Sequence, residues 1–278
     1  MDVTNLGGKT VLVTGAGSGI GRETALAFAR RGASLVMCDL NDAGLEQTAA
    51  GIRALGCSVF ARQVDVADRN AVREFAAAVH QQVEAVDILM NNAGVGLGGG
   101  FLHTELGDWD WIVGINLMGV VHGCHFFIPA MVKRGVGGHV INVASAAAFT
   151  ATEALAAYST TKFAVLGLSE ALRDELTPHR IGVTAVCPGV INTPITQSAR
   201  LRGPDATPAA RERMVRIYER RNYGPDKVAR GILKAVQRNR AVAPVSPEAW
   251  LMYYLKRCVP GVVARLNRSL AARMAAPR

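Results

Sequence analysis

Short runs of apolar, often β-branched residues recur along the chain and alternate with longer segments. The runs lie at 10–14, 34–38, 57–60, 86–90, 138–143 and 181–186, and they predict strands. Each run is separated from the next by enough residues for a helix, as in parallel strands joined by right-handed crossovers. The pattern predicts an α/β fold in a single domain: a doubly wound parallel sheet with helices on both faces and a ligand crevice at the carboxyl ends of the strands.

A glycine-rich turn follows the first predicted strand. Residues 14–21 read T-G-A-G-S-G-I-G and lead into a segment of helical composition. Gly15, Gly19 and Gly21 would let the backbone approach a pyrophosphate, whose charge the N–H groups at the start of the helix can hold. The spacing is G-x-x-x-G-x-G rather than G-x-G-x-x-G, because Ile20 occupies the last glycine position of the latter. A turn that binds nothing is the alternative.

An acidic residue ends the second apolar run. Asp39 follows Gly21 by eighteen residues, where a carboxylate can accept hydrogen bonds from the ribose hydroxyls of a dinucleotide. The same carboxylate would repel a 2′-phosphate. Neither Ser18 nor Leu40 supplies a compensating cation, and Arg22 is the one nearby basic residue that could. The sequence therefore favours NAD over NADP.

Tyr158 and Lys162 are four residues apart, and their spacing is interpreted on the assumption that about 155–176 is a helix. Positions i and i+4 lie on one helix face, so the ammonium is expected near the phenol. A free tyrosine has a pKa of about 10, and a neighbouring cation would lower it toward the range in which proton transfer is effective. A surface pair on an amphipathic helix is the alternative.

Several motifs occur together, in order, and resemble the classical short-chain dehydrogenase/reductase family over about residues 5 to 245. That resemblance implies a Rossmann-like fold and a nicotinamide cofactor. The matching positions are the turn at 14–21, Asp65-Val66, Asn91-Asn92-Ala93-Gly94, Asn116, Ser145, Tyr158, Lys162, and Pro188-Gly189 with Thr193. Two serines are frequent in the family where this chain has Ala144-Ser145, and Ser145 keeps the functional spacing.

The resemblance also implies a role for each residue of a catalytic tetrad. Tyr158 would exchange a proton with the substrate hydroxyl while Ser145 hydrogen-bonds the substrate oxygen. Lys162 would lower the pKa of Tyr158 and bond the nicotinamide ribose, and Asn116 would order a water that relays protons.

The cofactor site that the resemblance implies runs through most of these motifs. Asp65 would meet the adenine amino group, and the segment after Pro188 would hold the carboxamide, with backbone contacts from Val190 or Ile191. The complete set is Gly15, Ser18, Gly19, Ile20, Gly21, Asp39, Leu40, Asp65, Val66, Asn92, Ala93, Gly94, Tyr158, Lys162, Pro188, Gly189, Ile191 and Thr193.

The same residues have purely structural interpretations. Asp65 could cap a helix that begins near Asp68. Roles in turns, strand ends or helix interiors are the alternatives for Asn91, Asn92, Asn116, Ser145 and Thr193.

Composition agrees with an intracellular enzyme. Half of the 278 residues are hydrophobic, yet no run approaches the roughly eighteen uninterrupted apolar residues of a spanning helix, and no apolar signal region precedes the first strand. Five widely spaced cysteines are typical of buried thiols in a reducing compartment, so we expect a cytoplasmic protein. His122 and His125 have no acidic partner, and no metal site is expected.

Charge is divided unevenly along the chain. Residues 1–196 carry 13 Lys and Arg against 17 Asp and Glu, whereas residues 197–278 carry 18 against 5. Such a field attracts anionic partners, and the candidates are an acidic or acyl-carrier substrate, an anionic lipid surface, or no specific partner. No nucleic-acid motif accompanies the basic charge, so no nucleic acid is expected.

We expect a dinucleotide-binding and catalytic domain at 1–245, with a substrate loop at about 194–223, and a basic amphipathic extension at 246–278 that Pro260-Gly261 breaks in two. Docking of the extension on its own domain or on a sister subunit, or peripheral contact with a membrane, would each explain its pattern. Its apolar positions are Trp250, Leu251, Tyr253, Tyr254, Leu255, Val262, Val263, Leu266 and Leu270, and its basic ones Lys256, Arg257, Arg265, Arg268 and Arg273.

The segment 222–229 and the basic end resemble reductase domains that some bacteria fuse behind an α/β-hydrolase acting on lipids. This resemblance favours an oxidoreductase that transfers hydride between NAD(P) and a hydrophobic, lipid-like secondary alcohol or ketone. The alternatives are a reductase of 3-oxoacyl groups on acyl carrier or CoA, and a non-catalytic NAD-binding regulatory or membrane-associated protein. The resemblance implies a homodimer or homotetramer.

Overall fold

Seven parallel strands form the main sheet of the computed structural model, which describes residues 2–204, 206–261 and 265. The strands are β1 (Thr10–Thr14), β2 (Ser34–Asp39), β3 (Val59–Gln63), β4 (Ile88–Asn91), β6 (Gly138–Val143), β7 (Ile181–Cys187) and β9 (Val242–Pro244). Their order is β3-β2-β1-β4-β6-β7-β9. The order reverses between β1 and β4, which creates a crevice at the carboxyl ends of these two strands.

Helices cover both faces of this sheet, so the predicted doubly wound fold is confirmed. They are α1 (Gly19–Ala29), α2 (Asp42–Ala54), α3 (Arg69–His80), α4 (Leu106–Val113), α5 (Gly119–Arg134), α6 (Ala156–Leu176), α7 (Ile195–Ser198), α8 (Pro208–Arg221), α9 (Pro225–Gln237) and α10 (Pro247–Cys258).

Each face of the sheet has its own apolar core. Phe28 of α1 and Ile232 of α9 are buried on one face. On the other, Phe75 of α3 packs edge-on against Phe127 of α5, with ring centroids 6.1 Å apart. Strands covered on both faces must be apolar throughout, which is why the sequence showed continuous apolar runs.

Three short strands were not predicted. The two-residue strands β5 (Leu97–Gly98) and β8 (Arg200–Leu201) pair with each other outside the main sheet. Strand β9 lies at the edge of the main sheet and ends in Pro244. Edge strands tolerate proline, but a proline in the sequence argues against predicting a strand. The predicted strand 57–60 is shifted to Val59–Gln63, because the polar end of this opposite edge strand carries no apolar signal.

Helices α4 and α5 form one long helix, Leu106–Arg134, joined by a π-helical turn at Gly114–Met118. By length and composition alone this helix could cross a bilayer. Half of its apolar 18-residue stretch, however, is buried inside the molecule. It is therefore built as a core helix.

Helix α10 packs against the domain over its first turns. Ala249 is fully buried, and Tyr253 contacts Phe149 with ring centroids 5.2 Å apart. The helix ends at Cys258, next to the predicted break at Pro260-Gly261. Val262, Val263, Arg268, Leu266, Leu270 and Arg273 of the predicted amphipathic pattern lie outside the described residues.

Candidate active site

A cavity of about 510 Å³ lies at the carboxyl ends of the central strands. Most predicted site residues line it: Gly15, Ser18, Gly19, Ile20, Asp39, Leu40, Asp65, Val66, Asn92, Ala93, Gly94, Ser145, Tyr158, Lys162, Pro188, Gly189, Val190, Ile191 and Thr193. Gly21 and Asn116 are not part of its wall. The cavity thus brings together motifs that are up to about 180 residues apart in the sequence.

The ends of β1 and β4 are tied together at the floor of this cavity. The Thr14 hydroxyl accepts hydrogen bonds from the backbone N–H groups of Asn92 and Ala93, both at 3.0 Å. The Asn92 amide donates to the carbonyl oxygens of Thr14 and Gly15 at 2.9 and 3.0 Å. Asn92 therefore fixes the glycine turn, which is more than a local turn-forming role.

The glycines of the turn serve different purposes. Gly19 has a φ of +51°, a conformation that side chains rarely adopt. A Cβ on Gly21 would overlap the carbonyl oxygen of Gly15 and the amide of Asn92. Gly21 therefore lets α1 approach β1 and β4 closely, which explains why it matches the motif without lining the cavity.

Asp39 and Arg22 carry opposite charges near the glycine turn, and only Asp39 lines the cavity. Asp39 lines the cavity, and its carboxylate accepts hydrogen bonds from the N–H groups of Gly17 at 2.7 Å and Asn41 at 2.8 Å. The Arg22 guanidinium instead donates to the carbonyl oxygens of Gly17 and Gly44 and to the Thr48 hydroxyl. Arg22 is thus already engaged by protein groups.

Asp65 does not cap the helix that follows it. Asp68 caps α3 by accepting hydrogen bonds from the N–H groups of Asn70 and Ala71, at 2.8 and 3.2 Å. The Asp65 carboxylate accepts a hydrogen bond from Ala67 N–H at 2.9 Å and lines the cavity beside Val66.

Tyr158 and Lys162 project from one face of α6, as their spacing predicts. The Lys162 Nζ lies 5.7 Å from the centroid of the Tyr158 ring. Lys162 is only 4% exposed, and its ammonium donates to the carbonyl oxygen of Val143, at the end of β6, at 3.0 Å. Ser145 follows that strand, and its hydroxyl accepts a hydrogen bond from Ala147 N–H at 3.1 Å.

The pKa values in this cluster differ from the prediction that Lys162 makes Tyr158 more acidic. Burial raises the pKa of Tyr158 to about 12, and a hydrogen bond with Ser145 offsets part of the rise. Burial also lowers the pKa of Lys162 to about 8. Desolvation outweighs the attraction of the ammonium, which is directed at Val143. Because Tyr158 is half-buried at the wall of an open cavity, solvent there moderates its shift.

Asn116 sits in the π-helical turn and is fully buried. Its amide oxygen accepts a hydrogen bond from Val95 N–H at 2.8 Å, and its amide nitrogen donates to the Val95 carbonyl oxygen at 3.0 Å and to the Thr161 hydroxyl at 3.3 Å. The wider turn thus aims this side chain at the loop after β4. It connects that loop to α6 at Thr161, the residue directly before Lys162.

The motifs single out none of several further residues of the cavity wall, although Met214 and Tyr218 lie within the predicted substrate loop at about 194–223. Met214 and Tyr218 of α8, Met252 and Glu248 of α10, and Leu97 of β5 all line the cavity. No local signal marks them, because each reaches the cavity through tertiary packing. Met214, Met252 and Leu97 add apolar surface to the cavity, and Glu248 adds a carboxylate.

The residues present fit a dinucleotide. The Ser18 side chain makes no capping hydrogen bond at the start of α1, so the first N–H groups of an eleven-residue helix face the cavity uncapped by that side chain. At the end of the neighbouring strand β2, the Asp39 carboxylate supplies a hydrogen-bond acceptor in the cavity wall. Within the described residues, no group of three or more His, Cys, Asp and Glu side chains could hold a metal ion.

A doubly wound sheet with this cavity at its switch point defines a nucleotide-binding protein of the Rossmann class. The model of the short chain dehydrogenase family matches residues 9–202. The chain therefore belongs to the short-chain dehydrogenase family.

Individual relatives agree with this assignment. Probable oxidoreductase EphD of Mycobacterium tuberculosis is 43% identical over 258 residues, which are 91% of this chain and 44% of that protein. Estradiol 17-beta-dehydrogenase 11 of Macaca fascicularis is 39% identical over 192 residues, covering 68% of this chain and 64% of that protein. The chain thus spans less than half the length of EphD.

Among solved structures, a short chain dehydrogenase/reductase from Burkholderia phymatum in complex with NAD is similar over 92% of this chain and 94% of its own. The TM-score is 0.84 and the sequence identity 30%.

Proposed function

We propose that this chain is an NAD-dependent oxidoreductase that interconverts hydrophobic secondary alcohols and ketones, with Tyr158 as general acid and base. The arrangement of Tyr158, Lys162 and Ser145 around one end of the cavity carries the proposal. When bound, the nicotinamide ring would accept hydride from the carbinol carbon or donate it to the carbonyl carbon.

The protein supplies the proton and the polar contacts. In reduction, protonated Tyr158 donates its hydroxyl proton to the substrate oxygen, and in oxidation the phenolate takes that proton back. Ser145 hydrogen-bonds the same oxygen and stabilises the charge that develops on it. Lys162 holds a cation beside the phenolate form of Tyr158, and Asn116 keeps α6 in register with the loop after β4.

The cofactor preference rests on the adenosine end. Asp39 presents a carboxylate where a 2′-phosphate would lie, and Arg22 is committed to Gly17, Gly44 and Thr48. The Asp39 carboxylate would repel a 2′-phosphate, and the engaged Arg22 would not offset that repulsion. This favours NAD over NADP.

The substrate class rests on the other end. Leu97, Met214, Tyr218 and Met252 give this part of the wall an apolar surface, which suits a lipid-like alcohol. One relative is named estradiol 17-beta-dehydrogenase 11, and that name is compatible with such a substrate. A reductase of 3-oxoacyl groups on acidic carriers is the second candidate, favoured by the excess of basic residues in 197–278.

We further propose that the site residues belong to a catalytic domain that ends near residue 245, and that the protein forms a homodimer or homotetramer in the cytoplasm. Helix α10 exposes Leu251 and Tyr254, with Lys256 and Arg257 on the same helix, and Val259 directly after the helix is exposed as well. This surface supports peripheral contact with an anionic membrane.

Tyr158→Phe tests the chemistry. We expect turnover to fall by about two to four orders of magnitude, because phenylalanine has no hydroxyl proton to donate at this position, while NAD binding stays unchanged. The measurement is a spectrophotometric panel of secondary alcohols and ketones, steroids and long-chain substrates included, with NAD and with NADP. Tyr218→Phe is the matched control, because it removes a hydroxyl from the same cavity and should retain turnover. Near-normal activity of Tyr158→Phe would refute the role.

A further inference from the structure

One carboxylate outside all the predicted motifs joins two walls of the cavity. Glu248 lies in the first turn of α10 and lines the cavity. One of its oxygens accepts a hydrogen bond from Val190 N–H at 2.8 Å, and the other pairs with the Arg221 guanidinium at 2.7 Å. Val190 follows Pro188-Gly189 after β7, whereas Arg221 is the last residue of α8.

Helix α8 has few other anchors. None of its residues is buried, although Met214 and Tyr218 form part of the cavity wall. At its other end, Arg211 donates to the carbonyl oxygen of Gln197 at 2.7 Å. A helix without buried side chains gains little from apolar burial, so polar contacts at its ends decide its position.

The loop after β7 has a glycine, Gly189, where the Glu248 carboxylate approaches it. A Cβ on Gly189 would overlap the Glu248 carboxylate and the Ser246 hydroxyl. The close approach of α10 to this loop therefore requires glycine at 189. The Arg221 and Glu248 side chains are 37% and 22% exposed, so their ion pair is only partly screened by solvent.

We propose that Glu248 is a positioning residue that holds α8 over the substrate end of the cavity and fixes the Val190 backbone at the same time. Removing its charge frees the carboxyl end of α8 and loosens the substrate wall formed by Met214 and Tyr218. Removing the side chain also frees the Val190 N–H, which disturbs the loop beside Pro188. The kinetic part of this proposal rests on the proposed function, while its structural part does not.

Three variants separate the two contacts. Glu248→Gln keeps an oxygen for Val190 N–H but loses the ion pair, Arg221→Gln removes the pair from the other side, and Glu248→Ala removes both contacts. Arg216→Gln is the matched control, because its partner Glu212 lies on α8 itself, at 3.5 Å, and that pair tethers α8 to nothing else.

Hydrogen exchange of the full chain tests the structural part without substrate. We expect amides of residues 208–221 to exchange about fivefold faster in Glu248→Gln and Arg221→Gln, the upper range for a partly exposed ion pair, and at the original rate in Arg216→Gln. Unchanged exchange in Glu248→Gln, or equal acceleration in Arg216→Gln, would overturn the proposal.

Kinetics test the consequence. Glu248→Gln and Arg221→Gln should raise the substrate KM about fivefold with kcat retained, and Glu248→Ala should additionally weaken NAD binding, measured by titration. A loss of kcat at unchanged KM would overturn the positioning role. If the original chain shows no turnover, the proposed function fails, whereas the exchange result still decides whether Glu248 holds α8.

Discussion

At the scale of single residues, Lys162 places a charged side chain in the interior of the protein, at a cost in desolvation free energy. Its ammonium is almost fully buried, and within the described part of the chain it donates a hydrogen bond to one group, the carbonyl oxygen of Val143. A buried charge with so little compensation lowers stability, and the lowered pKa of about 8 expresses that cost. The sequence predicted the position of Lys162 from i,i+4 spacing, but spacing carries no information about burial. Burial is the first cause of the raised Tyr158 pKa, and this spacing does not reveal it, whereas it does account for the 5.7 Å between the Lys162 ammonium and the Tyr158 ring.

Lys162→Met should therefore stabilise the fold at neutral pH. The folded pKa of about 8 lies below the ordinary value of 10.5, so the folded state binds fewer protons than the unfolded state between these values, and the stability of the original chain rises with pH across this window. We expect the variant to gain about 2–3 kcal/mol at pH 7 and much less at pH 10. Urea unfolding at both pH values measures this. Lys133→Met, at an exposed position, serves as control, and an equal gain of Lys162→Met at both pH values would contradict the argument.

At the scale of elements, the long apolar segments were predictable and their points of contact were not. The central strands follow from their continuous apolar runs, because they are buried on both faces of the sheet. The strands β5, β8 and β9, the π-helical turn around Asn116 and the reach of Glu248 depend on partners distant in sequence. Helix α5 shows the same dependence: Gly123 faces the Asn91 side chain, which donates to Asn142 at 2.9 Å.

Two helical glycines should consequently respond in opposite ways to alanine. A Cβ on Gly123 would overlap the Asn91 amide, so Gly123→Ala should destabilise the fold by about 1–3 kcal/mol through overpacking. Gly167 of α6 has nothing within 4 Å of its Cβ position, so Gly167→Ala should stabilise by about 0.5–1 kcal/mol through helix propensity. Chemical unfolding of both variants measures the contrast. A similar loss in both would show that α5 does not pack against β4 in this way.

At the scale of the whole molecule, charge and apolar exposure coincide in the last third of the chain. Residues 197–278 contribute 18 basic against 5 acidic side chains, and α10 within them exposes Leu251 at 59% and Tyr254 at 55%. The same helix places Met252 in the cavity wall. A basic surface with exposed apolar side chains binds anionic lipid by electrostatic attraction and shallow insertion. Under the proposed function, this contact would let a hydrophobic substrate reach the cavity from the lipid side of α10.

The full chain should therefore float with vesicles that contain anionic phosphatidylglycerol and much less with neutral vesicles. Replacing Leu251 and Tyr254 together by serine should reduce flotation about tenfold, because each loses most of its insertion energy, and raising the salt to about 0.5 M should do the same through screening. Leu102 and Leu106, 91% and 82% exposed in the net-negative part of the chain, provide the control when both are replaced by serine. Equal flotation of the two double variants would show that α10 is not the contact surface, and the exposed residues of α10 would then be better explained by docking against a sister subunit.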